Sequence, residues 1–203
     1  MSEVIIENEV PFCDMDAHGG DGDFGMSIAK GFRRLKVEWD DILKKSWNIG
    51  KFLDACAVII MEYCGGASGP IWGFAFKYAA KAASDAVKMD IHGFAKLIQA
   101  AVDGVQETGK RSFGRGAVVG DKTLVDALVP CADSFHESAQ KRIGFLEGFK
   151  QAAQAAVSGA EKTKDIVAHM GRAENAGERS LGYPDAGAYA LGVIFTEIAK
   201  SVK

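Results

Sequence analysis

Apolar residues recur at helical spacing along most of this chain. Between positions 26 and 36 they fall mostly on one side, with basic residues opposite, as in an amphipathic helix. The same spacing predicts further helices over 49–63, 70–84, 90–108, 122–134, 139–169 and 186–202. No segment alternates apolar and polar residues over the length of a strand, and no repeat of about 20–50 residues occurs. The pattern therefore predicts an all-α protein with seven or eight helices.

Individual residues add detail to these helices. The segment 49–63 is apolar nearly all round, which is typical of a central, buried helix. Pro11 is expected to end any helix that begins near Ser2. Pro70 suits the first position of the helix over 70–84. Asp121 is expected to cap the helix that follows it.

Composition limits the class of protein. The chain has 203 residues, of which 48% are hydrophobic and 25% charged, as expected for a single globular domain over 1–203. The formal net charge is −3 and the basic residues are scattered, so nothing favours nucleic acid or a membrane surface as a partner. The four cysteines lack CxxC spacing and are expected to be free thiols in a reducing compartment. Since neither a signal peptide nor a membrane-spanning run is visible, we expect a cytoplasmic protein.

The most unusual stretch is the loop Asp16–Gly25, DAHGGDGDFG, which holds three aspartates and four glycines. Like charges at this spacing repel one another, and a divalent cation is the usual reason to gather them. Hard carboxylate oxygens suit Mg²⁺ or Ca²⁺. Glycines permit positive φ, which lets successive carboxylates converge. A solvated acidic turn without a ligand is the alternative.

Two common motifs do not explain this loop. Gly20–Gly25 matches GxGxxG, but no apolar strand precedes it, and two aspartates in the turn would repel a pyrophosphate. An EF-hand loop beginning at Asp14 would need a glutamate at its twelfth position, which is Gly25. The four histidines stand singly, so a zinc site is not indicated.

Three further glycine-containing loops lie between predicted helices. At Gly65–Pro70, small residues and the Ser68 hydroxyl could approach an oxyanion, although a tight helix–helix turn is the simpler alternative. Gly116–Thr123 resembles a P-loop only superficially, because its spacing is broken. Gly171–Gly187 is long and polar, carries Arg172 and Arg179, and could be a lid. Together with the aspartates, these loops favour a protein that binds a Mg²⁺-nucleotide.

At these four loops the sequence resembles the dihydroxyacetone kinase L subunit, the nucleotide-binding half of that kinase. The resemblance runs from about residue 5 to the C-terminus. It is carried by Met15–Gly25 (MDAHGGDGDFG), Gly65–Pro70 (GGASGP), Gly120–Leu128 (GDKTLVDAL) and Gly171–Ser180 (GRAENAGERS). It implies a closed barrel of about eight antiparallel amphipathic helices, with the nucleotide in the loops at one end.

The resemblance also implies a set of site residues. Asp16, Asp21 and Asp23 match the family's magnesium ligands and would hold two Mg²⁺ ions. With Arg172 they are the candidate catalytic residues. The candidate ADP- or ATP-binding residues are Phe24, Gly25, Met26, Ser27, Gly66, Ala67, Ser68, Gly116, Leu124, Arg172, Asp185, Ala186 and Gly187.

The implied activity is that of a phosphotransferase subunit that works with a partner. A separate K subunit would hold a small ketose, dihydroxyacetone or a tetrulose, whose hydroxyl group receives the phosphoryl group. Phe24 replaces a histidine common in members whose bound ADP is recharged, so free ATP and a phosphotransferase-system M-type protein both stay open as donors. The spacing around Gly116 also departs from the family pattern. The resemblance allows a homodimer as well.

Two other hypotheses stay open at this point. Family members also act through transcription-factor partners, so a non-catalytic nucleotide-sensing or regulatory module is one alternative. The nucleotide domain of fatty-acid kinases is the other, although its metal loop differs and its additional domains are absent from this sequence.

Overall fold

The computed structural model describes residues 1–202, and every regular element within that range is helical, which confirms the predicted fold class. The α-helices are α1 Ser2–Glu7, α2 Glu9–Asp16, α3 Phe24–Val37, α4 Trp39–Lys45, α5 Ile49–Tyr63, α6 Ser68–Ala83, α7 Ile91–Phe113, α8 Val125–Gln140, α9 Phe145–Lys162 and α10 Ala186–Ser201. Short 3₁₀ turns cover Thr163–Asp165 and Arg172–Ser180.

The helices form a closed barrel of eight staves within the described residues. α1 and α2 together make the first stave, which packs on α3 at one side and on α10 at the other. α3, α5, α6, α7, α8, α9 and α10 follow, each packed on the next, and short α4 bridges α3 and α5. Because neighbouring staves are consecutive in the chain, they run antiparallel, as in other up-and-down bundles.

Two prolines lie inside the first turns of helices rather than at their boundaries. The expectation that Pro11 ends the first helix is wrong, because α1 ends at Glu7 and Pro11 belongs to the first turn of α2. Pro70 likewise lies in the first turn of α6, which begins two residues earlier at Ser68. The first N–H groups of a helix have no partner within it, so a proline there costs no hydrogen bond.

The second half of the chain shows the largest differences from the predicted boundaries. α7 continues to Phe113, and α8 begins at Val125 rather than at residue 122. The break predicted between residues 134 and 139 lies at 141–144 instead, since α8 extends to Gln140 and α9 covers only Phe145–Lys162. Arg142 in the connection has a φ of 53°, a left-handed conformation that apolar periodicity does not reveal.

The helix predicted over 49–63 has the bounds of α5. The prediction that it lies at the centre of the protein is wrong. α5 is a stave of the ring that packs on α3, α4 and α6, and Val58 on it is 50% exposed. Most of its apolar residues are buried or partly buried, and its exposed positions are Lys51, Val58 and Glu62.

The barrel interior is lined by aromatic and aliphatic side chains. Phe94, Phe135, Phe149 and Phe195 form one aromatic cluster, with ring centroids 5.0–6.5 Å apart. Beside this cluster lies an apolar cavity of about 510 Å³. None of the helices within residues 1–202 is long and apolar enough to cross a membrane.

The four glycine-containing loops meet at one end of this barrel. They connect α2 to α3, α5 to α6, α7 to α8 and α9 to α10, which are alternate connections around the ring. In an antiparallel ring, alternate connections lie at the same end. Loops that are far apart in the sequence therefore surround one site.

Candidate functional site

Three aspartate side chains converge at the start of this site. Asp16 is the last residue of α2, Asp21 lies in the loop, and Asp23 directly precedes α3. One carboxylate oxygen from each lies within 4.8 Å of the others. The Asp23 side chain makes no capping hydrogen bond to α3, so it is free to point at the other two carboxylates.

The loop is folded around the Asp16 carboxylate. Asp16 Oδ2 accepts hydrogen bonds from the backbone N–H groups of Gly22 at 2.9 Å and Phe24 at 3.3 Å. Gly22 has a φ of 76°, which favours glycine. At Gly20 a Cβ would lie 2.2 Å from Asp16 Oδ1. These two glycines allow the chain to close around the carboxylate.

The chemistry of these donors fits a hard divalent cation. Oxygen ligands about 2.1 Å from Mg²⁺ lie about 3–4 Å from one another, close to the spacing of the three carboxylates. Arg172 supplies positive charge at the same place, since its guanidinium pairs with Asp21 and lies 4.0 Å from Asp23. Ionic contacts between Arg172 and these aspartates thus connect the α2–α3 loop to the α9–α10 connection.

A cavity of about 190 Å³ lies beside the aspartates. The predicted residues that line it are Asp16, Asp21, Asp23, Phe24, Ser27, Gly66, Ala67, Ser68, Leu124, Arg172, Asp185, Ala186 and Gly187. Three other predicted residues, Gly25, Met26 and Gly116, lie outside this lining. Met26 is 55% exposed, and Gly116 packs against Gln106.

The loop between α5 and α6 forms one wall of the cavity. The N–H of Gly65 donates to the carbonyl of Ser27 at 3.0 Å, and the N–H of Ser68 donates back to Gly65 at 3.1 Å. The first bond holds the loop against α3, and the second shapes the turn before α6. The N-terminal end of α6 therefore faces the cavity, and because Ser68 and Ile71 use their N–H groups and Pro70 has none, the N–H of Gly69 is the one that this turn leaves for an anion.

The loop between α7 and α8 is held by two buried aspartates. Asp126, rather than Asp121, fastens the start of α8, since it accepts hydrogen bonds from the N–H groups of Gly120 at 2.6 Å and Thr123 at 2.8 Å. The prediction that Asp121 caps this helix is wrong, because its carboxylate pairs with Arg115 and accepts from the N–H of Val118 instead.

Lys122 is the most important site residue that the sequence did not reveal. It is 2% exposed and borders the cavity, and burial lowers the pKa of its ammonium group. Thr123, Ile71, Trp72 and Met170 also line the cavity without having been predicted. The one sequence signal for Lys122 was its place in the segment GDKTLVDAL.

The segment Gly171–Pro184, which we call the lid segment, covers one side of the site. The ring of Tyr183 stacks on the ring of His18, with centroids 3.6 Å apart and planes 7° from parallel. After the lid, Asp185 caps α10 by accepting from the N–H of Ala188 at 2.8 Å. Burial raises the pKa of the Asp185 carboxyl to about 7.

Comparison with known proteins identifies the family of this chain. A family model described as the DAK2 domain matches residues 18–200. The chain belongs to the DAK2 domain family. This DAK2 domain is 32% identical over 193 residues to the PEP-dependent dihydroxyacetone kinase 1, ADP-binding subunit DhaL, of Listeria innocua, covering 95% of this chain and 87% of that protein. It is 30% identical over 189 residues to the corresponding PEP-dependent subunit of Escherichia coli, covering 93% and 86%.

Other proteins similar to this DAK2 domain are much longer. The chain is 31% identical over 197 residues to the L-erythrulose kinase of Pectobacterium atrosepticum, but covers only 32% of that protein against 97% of its own length. The crystal structure of the dihydroxyacetone kinase from C. freundii in complex with AMP-PNP and Mg²⁺ matches with a TM-score of 0.70 and 24% identity, covering 99% of this chain and 32% of that one. At this low sequence identity, the match to the C. freundii structure shows a shared fold.

Proposed function

We propose that this chain binds ADP or ATP together with Mg²⁺ and serves as the nucleotide-binding subunit of a dihydroxyacetone-type kinase. The observation that carries this proposal is the convergence of three aspartates, the N-terminal end of α6 and Arg172 around one cavity. The relatives named as ADP-binding subunits support the nucleotide, and the AMP-PNP and Mg²⁺ of the C. freundii kinase support the same ligand pair.

In this proposal the metal ligands are Asp16, Asp21 and Asp23, which would hold two Mg²⁺ ions. Mg²⁺ held by these carboxylates would supply positive charge that offsets the charge of the phosphate groups. Asp16 is held in place for this role by its two backbone hydrogen bonds. Since a preorganised ligand loses little freedom on binding, the rigid α2–α3 loop favours capture of the ion.

The nucleotide would lie between the loops and the lid segment. Ala67 and Ser68 would contact its phosphates from the N-terminal end of α6, Arg172 would pair with them from the lid, and Leu124 would pack against the base. A cavity of about 190 Å³ is below the usual range for ligand pockets, which begins at about 300 Å³. The nucleotide would therefore occupy this cavity only in part.

The acceptor in this proposal is a small ketose, dihydroxyacetone or a tetrulose, held by a separate K subunit. The relatives named as dihydroxyacetone and L-erythrulose kinases support this substrate class. The residues of this chain would fix the phosphoryl group and screen its charge, so that a hydroxyl group can attack in line. Phe24 leaves free ATP and a phosphotransferase-system protein as alternative donors.

Substitution of a metal ligand tests nucleotide binding. Asp21→Asn removes one charge with little change in size, and we expect binding of a fluorescent ADP analogue in the presence of Mg²⁺ to weaken about a hundredfold. Asp41→Asn, on the exposed surface of α4, is the matched control and should bind as the wild type does. Undiminished binding by Asp21→Asn, with an unchanged circular dichroism spectrum, would contradict the proposed site.

Turnover with a partner tests the catalytic part of the proposal. The chain would be mixed with K subunits of related kinases, Mg²⁺-ATP and either dihydroxyacetone or L-erythrulose, and the phosphorylated ketose measured. A second assay would replace ATP with a phosphoenolpyruvate-charged phosphotransfer system. Nucleotide binding without turnover in either assay would indicate a nucleotide-sensing module instead of a kinase subunit.

A further inference from the structure

Lys122 is a buried lysine, which is unusual because its side chain carries a charge. Its residue is 2% exposed, and its backbone φ of 59° is in the left-handed region, which non-glycine residues rarely adopt. A buried ammonium group is costly unless its protons meet acceptors. Both the burial and the backbone conformation must therefore be offset by the contacts that the side chain makes.

Those contacts are with the lid segment. Lys122 Nζ donates a hydrogen bond to the carbonyl of Ser180 at 2.6 Å and another to the carbonyl of Tyr183 at 2.9 Å. The acceptors are 58 and 61 residues away in the sequence. Asp126 holds the α7–α8 loop against α8 through two hydrogen bonds. Through Lys122, this loop binds the lid segment on the side that faces the barrel.

The other lid contacts arise from different parts of the chain. Arg172 and Tyr183 contact Asp21 and His18 of the α2–α3 loop. The N–H of Gly182 donates to the carbonyl of Lys164 at 2.9 Å. The contact with Asp21 lies at the proposed metal ligands, whereas Lys122 holds backbone carbonyls on the far half of the lid segment.

We propose that Lys122 is a positioning residue that anchors the lid segment to the barrel. Its two hydrogen bonds hold the lid segment in its position against the barrel. Arg172 therefore stays beside the three aspartates, and a bound nucleotide dissociates slowly. The part that concerns nucleotide release rests on the proposed function. The part that concerns the order of the lid does not.

The test compares Lys122→Met with Lys96→Met by hydrogen–deuterium exchange. Methionine keeps a long apolar stem but removes both donors, and Lys96 is an exposed lysine on α7. Loss of two charge-assisted hydrogen bonds should speed exchange of the peptide over 172–185 about tenfold or more. Exchange of α5 and the circular dichroism spectrum should stay unchanged. Lys96→Met should match the wild type throughout.

A second measurement follows release of a fluorescent ADP analogue in the presence of Mg²⁺. For Lys122→Met we expect dissociation to be about tenfold faster, with little change in the association rate. Weaker binding without faster lid exchange would indicate that Lys122 contacts the nucleotide directly, and would overturn the positioning role. If the wild type binds no nucleotide, the proposed function fails, and the exchange comparison still decides whether Lys122 anchors the lid.

Two further variants separate anchoring from a general need for a buried lysine. Lys122→Arg keeps the charge and several donors, and should keep lid exchange slow. Lys122→Gln has a shorter, neutral side chain and should speed it. If Lys122→Met does not fold, these two variants carry the test, and equal lid exchange in both would overturn the proposal.

Discussion

The guanidinium of Arg115 and the carboxylate of Asp121 form a bidentate salt bridge, with donor–acceptor distances of 2.6 and 2.8 Å. The Asp121 side chain is 7% exposed, and it also accepts a hydrogen bond from the N–H of Val118 at 2.9 Å. The backbone carbonyl of Asp121 accepts from the N–H of His169 at 3.0 Å. The ion pair and the Val118 contact therefore stabilise the α7–α8 loop. The His169 contact connects this loop to the residues that precede the lid segment.

The ion pair predicts a pH-dependent contribution to stability. The hydrogen bonds from Arg115 hold the pKa of Asp121 below its ordinary value, although burial opposes them. Since the folded-state pKa is the lower one, the pair stabilises the fold above the unfolded-state pKa of about 3.9, and the contribution is lost as pH falls through the folded-state pKa. Arg115→Gln should lower the urea midpoint at neutral pH, and the difference from wild type should shrink below about pH 3.

Arg111→Gln is the control for this prediction. Arg111 is exposed on α7 and pairs with Glu107 one turn away, where an ion pair contributes little to stability. Its urea midpoint should stay close to that of the wild type at each pH. A difference for Arg115→Gln that does not change between neutral and acidic pH would contradict the role given to Asp121.

Asp126 is expected to stabilise the start of α8. It is 2% exposed and accepts from the N–H groups of Gly120 and Thr123. Asp126→Ala leaves both donors without this acceptor and should cost about 1–3 kcal/mol in the free energy of unfolding. Asp133→Ala, at an exposed position of the same helix, should cost much less. Urea denaturation measures both, and equal losses would argue against this role of Asp126 in holding the α7–α8 loop against α8.

The sequence predicted helices best where side-chain caps mark their ends. Asn48 caps α5 through the N–H of Lys51, and Asp185 caps α10 through the N–H of Ala188; the predicted starts of both helices were exact. The boundary between α8 and α9 is predicted too early in the chain because Arg142, not a glycine, takes the left-handed conformation there. A long amphipathic pattern continues across such a turn without a visible break.

The site was predictable to the extent that it depends on local charge. The crowding of Asp16, Asp21 and Asp23 was visible in the sequence, and the structure brings them together. Lys122 could not be recognised, because its two acceptors belong to the lid segment 58 and 61 residues later. The sequence predicts a helix cap at Asp121, which is wrong because the pairing of Asp121 with Arg115 depends on how the α7–α8 loop folds.

The apolar cavity inside the barrel predicts a stabilising substitution. Ala75 borders this cavity of about 510 Å³, so Ala75→Leu should extend apolar side-chain atoms into it. We expect the free energy of unfolding to rise by about 1 kcal/mol. Ala132→Leu is the matched control, since Ala132 is 2% exposed and does not border the cavity. It should destabilise by about 1–3 kcal/mol through overpacking, and a loss of similar size for Ala75→Leu would contradict the prediction.

Gly20→Ala tests whether the shape of the α2–α3 loop sets the affinity of the proposed metal site. A Cβ at residue 20 would lie 2.2 Å from Asp16 Oδ1, so the carboxylate would have to rotate away from the N–H groups that orient it. Mg²⁺-dependent binding of a fluorescent ADP analogue should weaken about tenfold or more, while the thermal midpoint changes little. Gly144→Ala is the matched control, because a Cβ there would meet nothing within 4 Å. If both variants bind the nucleotide as tightly as the wild type, the orientation of Asp16 does not control the site.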